Sequence, residues 1–255
     1  MPTLSVALIC RDEEANLPAW LTAASAVADQ IVAVDSGSSD ATLEMLRRAG
    51  ATVLARAWSG YSDQRNAAAE LCIGDWILFL DADERPDARL TQALMELKQG
   101  PEPGEQGFKL GFKVFFFSRH LAHGGYGSER HLRLYRRGRG RWEDREVHER
   151  LAVMGPVGTL PGQVAHHSYQ SVRQYLSRLE RYSAEAARQM RAAGRRASGP
   201  TAWGHATWAF INRYLLRLGF LDGFEGYLAA RLEALYTLIK YARLRELERG
   251  IEDRP

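Results

Sequence analysis

The chain has 255 residues, 45% hydrophobic and 25% charged, with a formal net charge of +3. That length suits one large α/β domain with an appendage. The apolar fraction supports a packed core, and the lack of any uninterrupted apolar run of about 20 residues argues against a transmembrane helix. The charge is uneven: residues 1–98 carry 8 Lys/Arg against 15 Asp/Glu, residues 99–170 carry 11 against 7, and residues 171–255 carry 15 against 9. An acidic front suits a metal site, and a basic back suits an anionic acceptor or a membrane surface. From charge alone, a solvated helical surface is the plainer reading of the back third.

Met1 to Cys10 has no basic start before its short apolar run, so residues 3–9 read as a first strand and not a signal peptide. Cys10 and Cys72 both sit in apolar runs and read as buried thiols of a cytosolic protein, with neither disulfide nor metal-ligand spacing. Leu17, Trp20, Leu21 and Ala24 give a helical pattern. A second strand, Ile31 to Val34, closes in Asp35-Ser36-Gly37-Ser38, and Ser39 or Asp40 is placed to cap a helix ending near Gly50. A third strand covers Thr52 to Leu54, and residues 62–73 read as helix. Trp76 to Leu80 is wholly apolar, as a central strand requires, and runs straight into Asp81-Ala82-Asp83-Glu84.

Strands alternating with helices predict a doubly wound, mostly parallel sheet. Ligands of such sheets sit at the carboxyl ends of the strands, which puts Asp35, Asp81 and Asp83 on the ligand side. Residues 99–107 read as a loop, 108–118 as a long strand, and 119–150 as a basic, turn-rich stretch in which Leu132 and Leu134 alternate with Arg133. From Ser171 the chain turns helical, with Val172, Tyr175, Leu176, Leu179 and Tyr182 on one face. Gly194 to Pro200 breaks that helix, and residues 201–218 and 223–248 form two more. No internal repeat occurs.

Asp81-x-Asp83 carries the strongest chemical signal. Two carboxylates one residue apart on a strand-to-loop turn can converge on one hard cation, and Mg²⁺ takes a few carboxylates together with substrate phosphates. Such a cation neutralises charge building on a departing diphosphate. An acidic turn without a ligand is the competing reading. Trp142 to Glu149 holds four acids and one histidine, and a transfer to a hydroxyl needs a base; a charged strand rim is the alternative. His166 and His167 would point to opposite faces of a strand, so at most one serves a given site. In the last 55 residues Trp203, Trp208, Phe210, Tyr214, Phe220, Phe224 and Tyr227 mix with Arg213, Arg217 and Arg231. That mixture fits an interfacial helix or a helical subdomain packed on the core.

Ile9-Cys10-Arg11-Asp12-Glu13-Glu14-Ala15-Asn16-Leu17, Val34-Asp35-Ser36-Gly37-Ser38-Ser39-Asp40, Gln64-Arg65-Asn66, Gly74-Asp75-Trp76 and Leu80-Asp81-Ala82-Asp83-Glu84 occur in an order and spacing that resemble family-2 glycosyltransferases of GT-A fold. Arg133-Leu134-Tyr135-Arg136-Arg137, Val147-His148-Glu149, His166-His167-Ser168-Tyr169, Gly219-Phe220-Leu221-Asp222-Gly223 and Lys240-Tyr241-Ala242 resemble the bacterial branch that builds the lipopolysaccharide inner core, similar to the β-1,4-glucosyltransferases. One departure is Asp12, where the family often has Asn; a carboxylate cannot donate a hydrogen bond as an amide does.

The resemblance implies an α/β, Rossmann-like GT-A domain over residues 1–170 (1–98 for the nucleotide sugar, 99–170 for the acceptor) and a helical extension over 171–255. It implies a metal-dependent, inverting transfer of a sugar, expected to be glucose, from a UDP-sugar to an anionic glycolipid such as the lipopolysaccharide core. Asp35 would accept the uracil imide hydrogen, Glu13 would lie near the ribose, and Arg65 near uracil or the diphosphate, with Asp81 also on the nucleotide. Asp81, Asp83 and His148 would face Mg²⁺ or Mn²⁺. Glu149 is the favoured base, with Asp144 as the other candidate. The expected location is the cytoplasm, peripheral on the inner face of an anionic membrane, with no nucleic-acid partner. Another glycan or a peptide as acceptor, or an inactive nucleotide-sugar-binding scaffold, are the alternatives. A Rossmann oxidoreductase would need G-x-G-x-x-G after the first strand, and a nucleotidylyltransferase would need a Gly-rich loop where Arg11 to Glu14 stand.

Overall fold

The structure is a computed structural model that describes residues 1–117, 119–126, 130–143, 150–169 and 171–251. It divides into two compact units, Met1–Phe112 with Glu129–His166, and Lys113–Ser128 with His167–Pro255. Residues 113–128, which precede position 170 in the chain, thus cluster with the C-terminal helices.

The first unit begins with strand β1 (Leu4–Cys10), helix α1 (Leu17–Ser25), β2 (Gln30–Asp35), α2 (Thr42–Arg48), β3 (Thr52–Ala55), α3 (Tyr61–Leu71) and β4 (Trp76–Phe79). β3, β2, β1 and β4 lie side by side and parallel, as the alternating pattern predicts. β4 is buried at all four positions, consistent with a central parallel strand covered on both faces. Two apolar layers flank the sheet: Leu4, Val6, Leu8, Trp20 and Trp76 on one side, and Ala7, Val32, Val34, Ile77 and Phe79 on the other. The period of two along β1 and β4 sorts successive side chains between the layers. Each fully buried Leu, Ile or Phe contributes about 1.5–3 kcal/mol.

Beyond β4 the pairing turns antiparallel. The chain continues through β5 (Glu84–Pro86), α4 (Ala88–Gln99), β6 (Gly107–Phe116), β7 (Arg119–Leu121), β8 (Arg130–Arg136), β9 (Gly140–Glu143), β10 (Arg150–Val153) and β11 (Val157–Tyr169). The sheet order is β3-β2-β1-β4-β8-β6-β11-β5, with β7 on β6, and β9 pairs β10 separately. The turn-rich reading of 119–150 misses β8 and β9. β8 places Leu134 opposite Leu78 and Tyr135 opposite Ile77, so Arg133 falls just past the paired end of β4.

The second unit contains α5 (Val172–Ala192), α6 (Gly199–Ile211), a π-helical turn (Asn212–Leu216), a 3₁₀ turn (Gly219–Asp222) and α7 (Gly223–Glu248). α5 turns Tyr175, Ser183 and Ala187 inward, while Val172, Leu176 and Tyr182 are exposed. The predicted apolar face is therefore rotated, because small Ser183 and Ala187 allow close helix packing. Asp222 is the clasp of this unit. Its buried carboxylate accepts hydrogen bonds from the Ala122 and His123 backbone N–H groups at 3.2 and 2.8 Å and lies 2.9 Å from His123 Nδ1. Among the described residues no helix is long and apolar enough to cross a membrane.

Gly162 in β11 has φ +88°, and a Cβ there would lie 2.2 Å from the Leu90 nitrogen and 2.6 Å from Leu90 Cα. Those atoms are backbone in the first turn of α4 and cannot rotate away. Gly162→Ala is therefore expected to destabilise the fold by about 3 kcal/mol, lowering Tm by roughly 6–12 °C. Gly104→Ala, with nothing within 4 Å, should leave Tm within a degree or so of wild type. Thermal melts of the two variants check the contrast.

Candidate active site

The site is built at the carboxyl ends of β1, β2 and β4. Cys10 and Asp35 are register partners at the ends of β1 and β2. Asp35 is fully buried. Its Oδ1 accepts the Gly37 and Ser38 N–H groups at 2.9 Å each, and its Oδ2 takes the Ser38 hydroxyl. The loop after β1 is zipped to the loop after β2. Asp12 N–H donates to Ser38 Oγ at 2.8 Å, and Asp12 Oδ1 accepts the Ser39 N–H at 2.7 Å. The Glu13 N–H donates to Thr42 Oγ1 at 2.7 Å, Glu14 N–H to Asp40 Oδ2 at 3.1 Å, and Glu14 Oε2 accepts the Ala41 N–H at 3.0 Å. The backbone bond from Ser39 holds the Asp12 carboxyl below its ordinary range. The Ser39 bond needs only an acceptor oxygen, which Asp12 supplies as the amide oxygen of an Asn would. Glu13 is half-buried and accepts from Asn16 Nδ2 at 2.7 Å. Burial, and then the charge of Asp35, pushes the Cys10 thiol far above its usual value, so Cys10 is an inert buried group.

The Asp81-Ala82-Asp83-Glu84 turn follows β4 and carries a cluster of charges. Arg65, on the inward face of α3 and only 4% exposed, reaches Asp81 Oδ1 and Oδ2 from Nη2 at 3.0 and 3.3 Å. Its guanidinium lies 4.5 Å from the centre of the Trp142 ring and 6.0 Å from that of Tyr61. Arg133, from β8, donates to Asp81 Oδ2 at 3.3 Å and Glu84 Oε1 at 3.0 Å. Glu84 Oε2 accepts the Asp81 N–H at 3.0 Å, closing the turn. His166 Nε2 lies 3.5 Å from Asp83 Oδ2.

These neighbours set the protonation states. Burial works against the charge on Asp81, but Arg133 and then Arg65 outweigh it and hold the carboxyl far below the usual carboxylate range. Burial pushes Glu84 up; Arg133 opposes that rise, and the adjacent Asp81 charge adds to it. Burial would pull His166 down, but its bond to Asp83 and the surrounding carboxylates raise it. The turn therefore presents an ionised Asp81 between two guanidinium groups. Carboxylates of this kind take a hard cation, and arginines take phosphate oxygens.

The structure thus brings Arg65, Asp81 and Asp83 to one turn, and places Glu13 and Asp35 in the adjoining loops of the same unit. Asp144, His148 and Glu149 lie outside the described residues. The flanking strands are described: β9 and β10 pair Glu143 with Arg150. Asn66 ties β9 to α3 by exchanging two hydrogen bonds of 2.9 Å with the Trp142 backbone. Arg133, Glu84 and Trp142 join the turn without having been given a role in it, and so does His166, one of the two histidines weighed above. Arg133 was visible as the polar residue between Leu132 and Leu134 and as the first residue of the Arg133–Arg137 family motif, with no role attached to it. One of the paired histidines does face the acidic turn, and the other, His167, stacks on Phe115 with ring centres 4.9 Å apart.

A family model described as glycosyl transferase family 2 matches residues 5–154. The chain is 30% identical, over 94% of its length and 91% of the relative's, to the lipopolysaccharide core biosynthesis glycosyltransferase LpsC of Rhizobium meliloti. It is 23% identical to an uncharacterized glycosyltransferase of Rickettsia typhi, over 97% of this chain and 88% of that one. Among solved structures, glucosyl-3-phosphoglycerate synthase from Mycobacterium tuberculosis with Mn²⁺, UDP and glucosyl-3-phosphoglycerate aligns at a TM-score of 0.35 and 24% identity, over 45% of this chain and 44% of that chain. With a family-model match over more than half of the chain and a relative of that identity along nearly all of it, the chain belongs to glycosyl transferase family 2.

Proposed function

We propose that this glycosyltransferase moves a sugar, with glucose as the expected one, from a UDP-sugar to an anionic glycolipid of the lipopolysaccharide core, with inversion at the transferred carbon. The observation that carries the donor side is the Arg65–Asp81–Arg133 cluster beside Asp83 at the end of β4. Two guanidinium groups next to two carboxylates suit a diphosphate held with a cation. Similarity to LpsC supports the acceptor class.

The donor set fits a divalent cation. Among the described residues no three His, Cys, Asp or Glu side chains form a metal cage. Mg²⁺ commonly takes one or two carboxylates and completes its shell with water and substrate phosphates. Asp81 and Asp83 would hold it, with His148 as a further contact. When bound, such a cation offsets the charge that develops on the leaving diphosphate. Arg65 and Arg133 act in the same sense, aimed at the diphosphate from α3 and β8. A carboxylate has about four acceptor sites; on Asp35 the loop takes three and the Cys10 thiol, at 3.8 Å, the fourth, so a uracil imide N–H would displace that long thiol contact. Glu13, on the neighbouring loop, is the residue proposed for the ribose.

An inverting displacement needs a base on the face of the sugar opposite the leaving group. Asp81 and Asp83 are engaged with the donor and cannot serve. Glu149 is the proposed base and Asp144 its alternative. Both lie in sequence between β9 and β10, and the resemblance of Val147-His148-Glu149 to the lipopolysaccharide-core branch supports Glu149.

Asp83→Asn is expected to lower turnover by roughly 10²-fold or more, the scale of losing one electrostatic contact to the transition state, and EDTA should silence the wild type. An Asp83→Asn enzyme with wild-type activity in EDTA would overturn the metal assignment. Glu149→Gln should slow turnover by about 10²–10⁴-fold while UDP-sugar affinity, measured by calorimetry, stays at the wild-type value. Normal turnover in Glu149→Gln beside an inactive Asp144→Asn would move the base to Asp144.

A further inference from the structure

The stretch between α6 and α7 leaves the α-helical path twice. α6 ends at Ile211 and runs into the π-helical turn; Leu218, at φ +58°, then leads into the 3₁₀ turn. This knuckle is fastened from inside by small and polar groups. Gly219 is buried, and a Cβ on it would lie 2.6 Å from the Arg213 carbonyl oxygen. The Arg217 carbonyl accepts the Gly124 N–H at 2.8 Å, and Arg213 Nη1 donates to the Gly124 carbonyl at 3.0 Å. Asp222 clasps the Ala122 and His123 backbone as described above. With its inner face filled this way, the knuckle turns its large apolar side chains outward: Leu215, Leu216, Leu218, Phe220, Leu221 and Phe224 are 44–67% exposed.

The base of the knuckle is stiff. Phe210 stacks on Tyr214 with ring centres 5.1 Å apart, and Tyr227 packs edge-on against both. Arg231 lies 4.5 Å over the Phe210 ring and donates to the Tyr227 hydroxyl at 3.0 Å. Of the aromatic–arginine mixture of the sequence, Phe210, Tyr214, Tyr227 and Arg231 form this scaffold, while Phe220 and Phe224 join the exposed leucines of the tip. The unit that carries it holds 17 Lys/Arg against 9 Asp/Glu, a net +8, whereas the other unit is net −5.

We propose that residues 215–224 are a membrane-docking knuckle that enters the headgroup–acyl boundary of an anionic bilayer. An apolar tip on a strongly basic body is the combination that interfacial binding requires: the field draws the unit to negative lipid, and the side chains then leave water. Six large apolar side chains exposed within ten residues gain nothing from solvent. A second copy would bring +8 against +8, whereas an anionic bilayer complements both the apolar tip and the charge. The inference stands on this surface alone and does not depend on the donor or the acceptor.

The test is flotation of the full chain, without substrate, on phosphatidylcholine vesicles with and without phosphatidylglycerol, at low and high salt. Wild type should float with the anionic vesicles, and less in high salt, because screening weakens attraction between exposed charges. Leu216→Ser/Phe224→Ser keeps the net charge and should lower the partition coefficient at least about tenfold. Ile73→Ser, which removes an exposed apolar side chain from the other unit, should float as wild type does, and melting curves confirm that all three are folded. Wild type that stays unbound to anionic vesicles, or a double variant that floats equally well, overturns the proposal. A wild-type dimer that the double variant makes monomeric, with no vesicle binding in either, overturns it in favour of self-association.

Discussion

The carboxylate of Asp81 is the point on which the charged turn after β4 is organised. It stands one residue beyond the apolar end of the central β4–Leu80 segment, where a charge is costly unless paired. Arg65 arrives from α3 and Arg133 from β8, and both are themselves largely buried. Each of these elements must therefore be in register for any of the charges to be tolerated. Asp81 itself is a third exposed, but losing its carboxylate would leave the buried Arg65 charge desolvated without its counter-charge. Glu84 shares Arg133 and receives the Asp81 N–H, so the turn's backbone is fixed by the same network. The positive groups that would meet a diphosphate are thereby oriented before any ligand arrives, which reduces the reorganisation needed on binding.

The neighbouring loops show the same economy of polar groups. Asp12, Glu14, Asp35 and Asp40 would repel one another as bare charges, yet each is engaged with backbone N–H groups of its own or the facing loop. The acidity of residues 1–98 thus has a structural use in tying the ends of β1 and β2 together. The pairing also explains why the chain tolerates Asp at position 12, which serves as an acceptor for Ser39.

The parallel half of the sheet was legible because its signals are local: apolar runs of strand length, helical spacing between them, and Asp at the ends of β2 and β4. The placing of Asp81, Asp83 and Asp35 beyond strand ends rests on the same local signals. The placing of Arg133 and His166 beside the acidic turn does not, because it depends on sheet order, with β8 beside β4 and β11 beside β5, and pairing over such separations leaves no local trace. The rotated face of α5 has a similar origin. Hydrophobicity alone favours Leu176 and Tyr182, whereas close packing selects Ser183 and Ala187. The Gly219–Gly223 motif was visible as a family signature, but its physical work, presenting Asp222 to the backbone of residues 122 and 123, depends on contacts about 100 residues away in sequence.

The central claim is that the turn after β4 is a site for a diphosphate together with a divalent cation, assembled in advance by Arg65 and Arg133. Calorimetric titration of UDP into the wild-type chain, in Mn²⁺ and again in EDTA, tests it most directly. UDP should bind in Mn²⁺ and lose roughly tenfold or more in affinity in EDTA, a difference of at least about 1.4 kcal/mol. Equal affinity in the two buffers, or no binding of UDP in either, would contradict it.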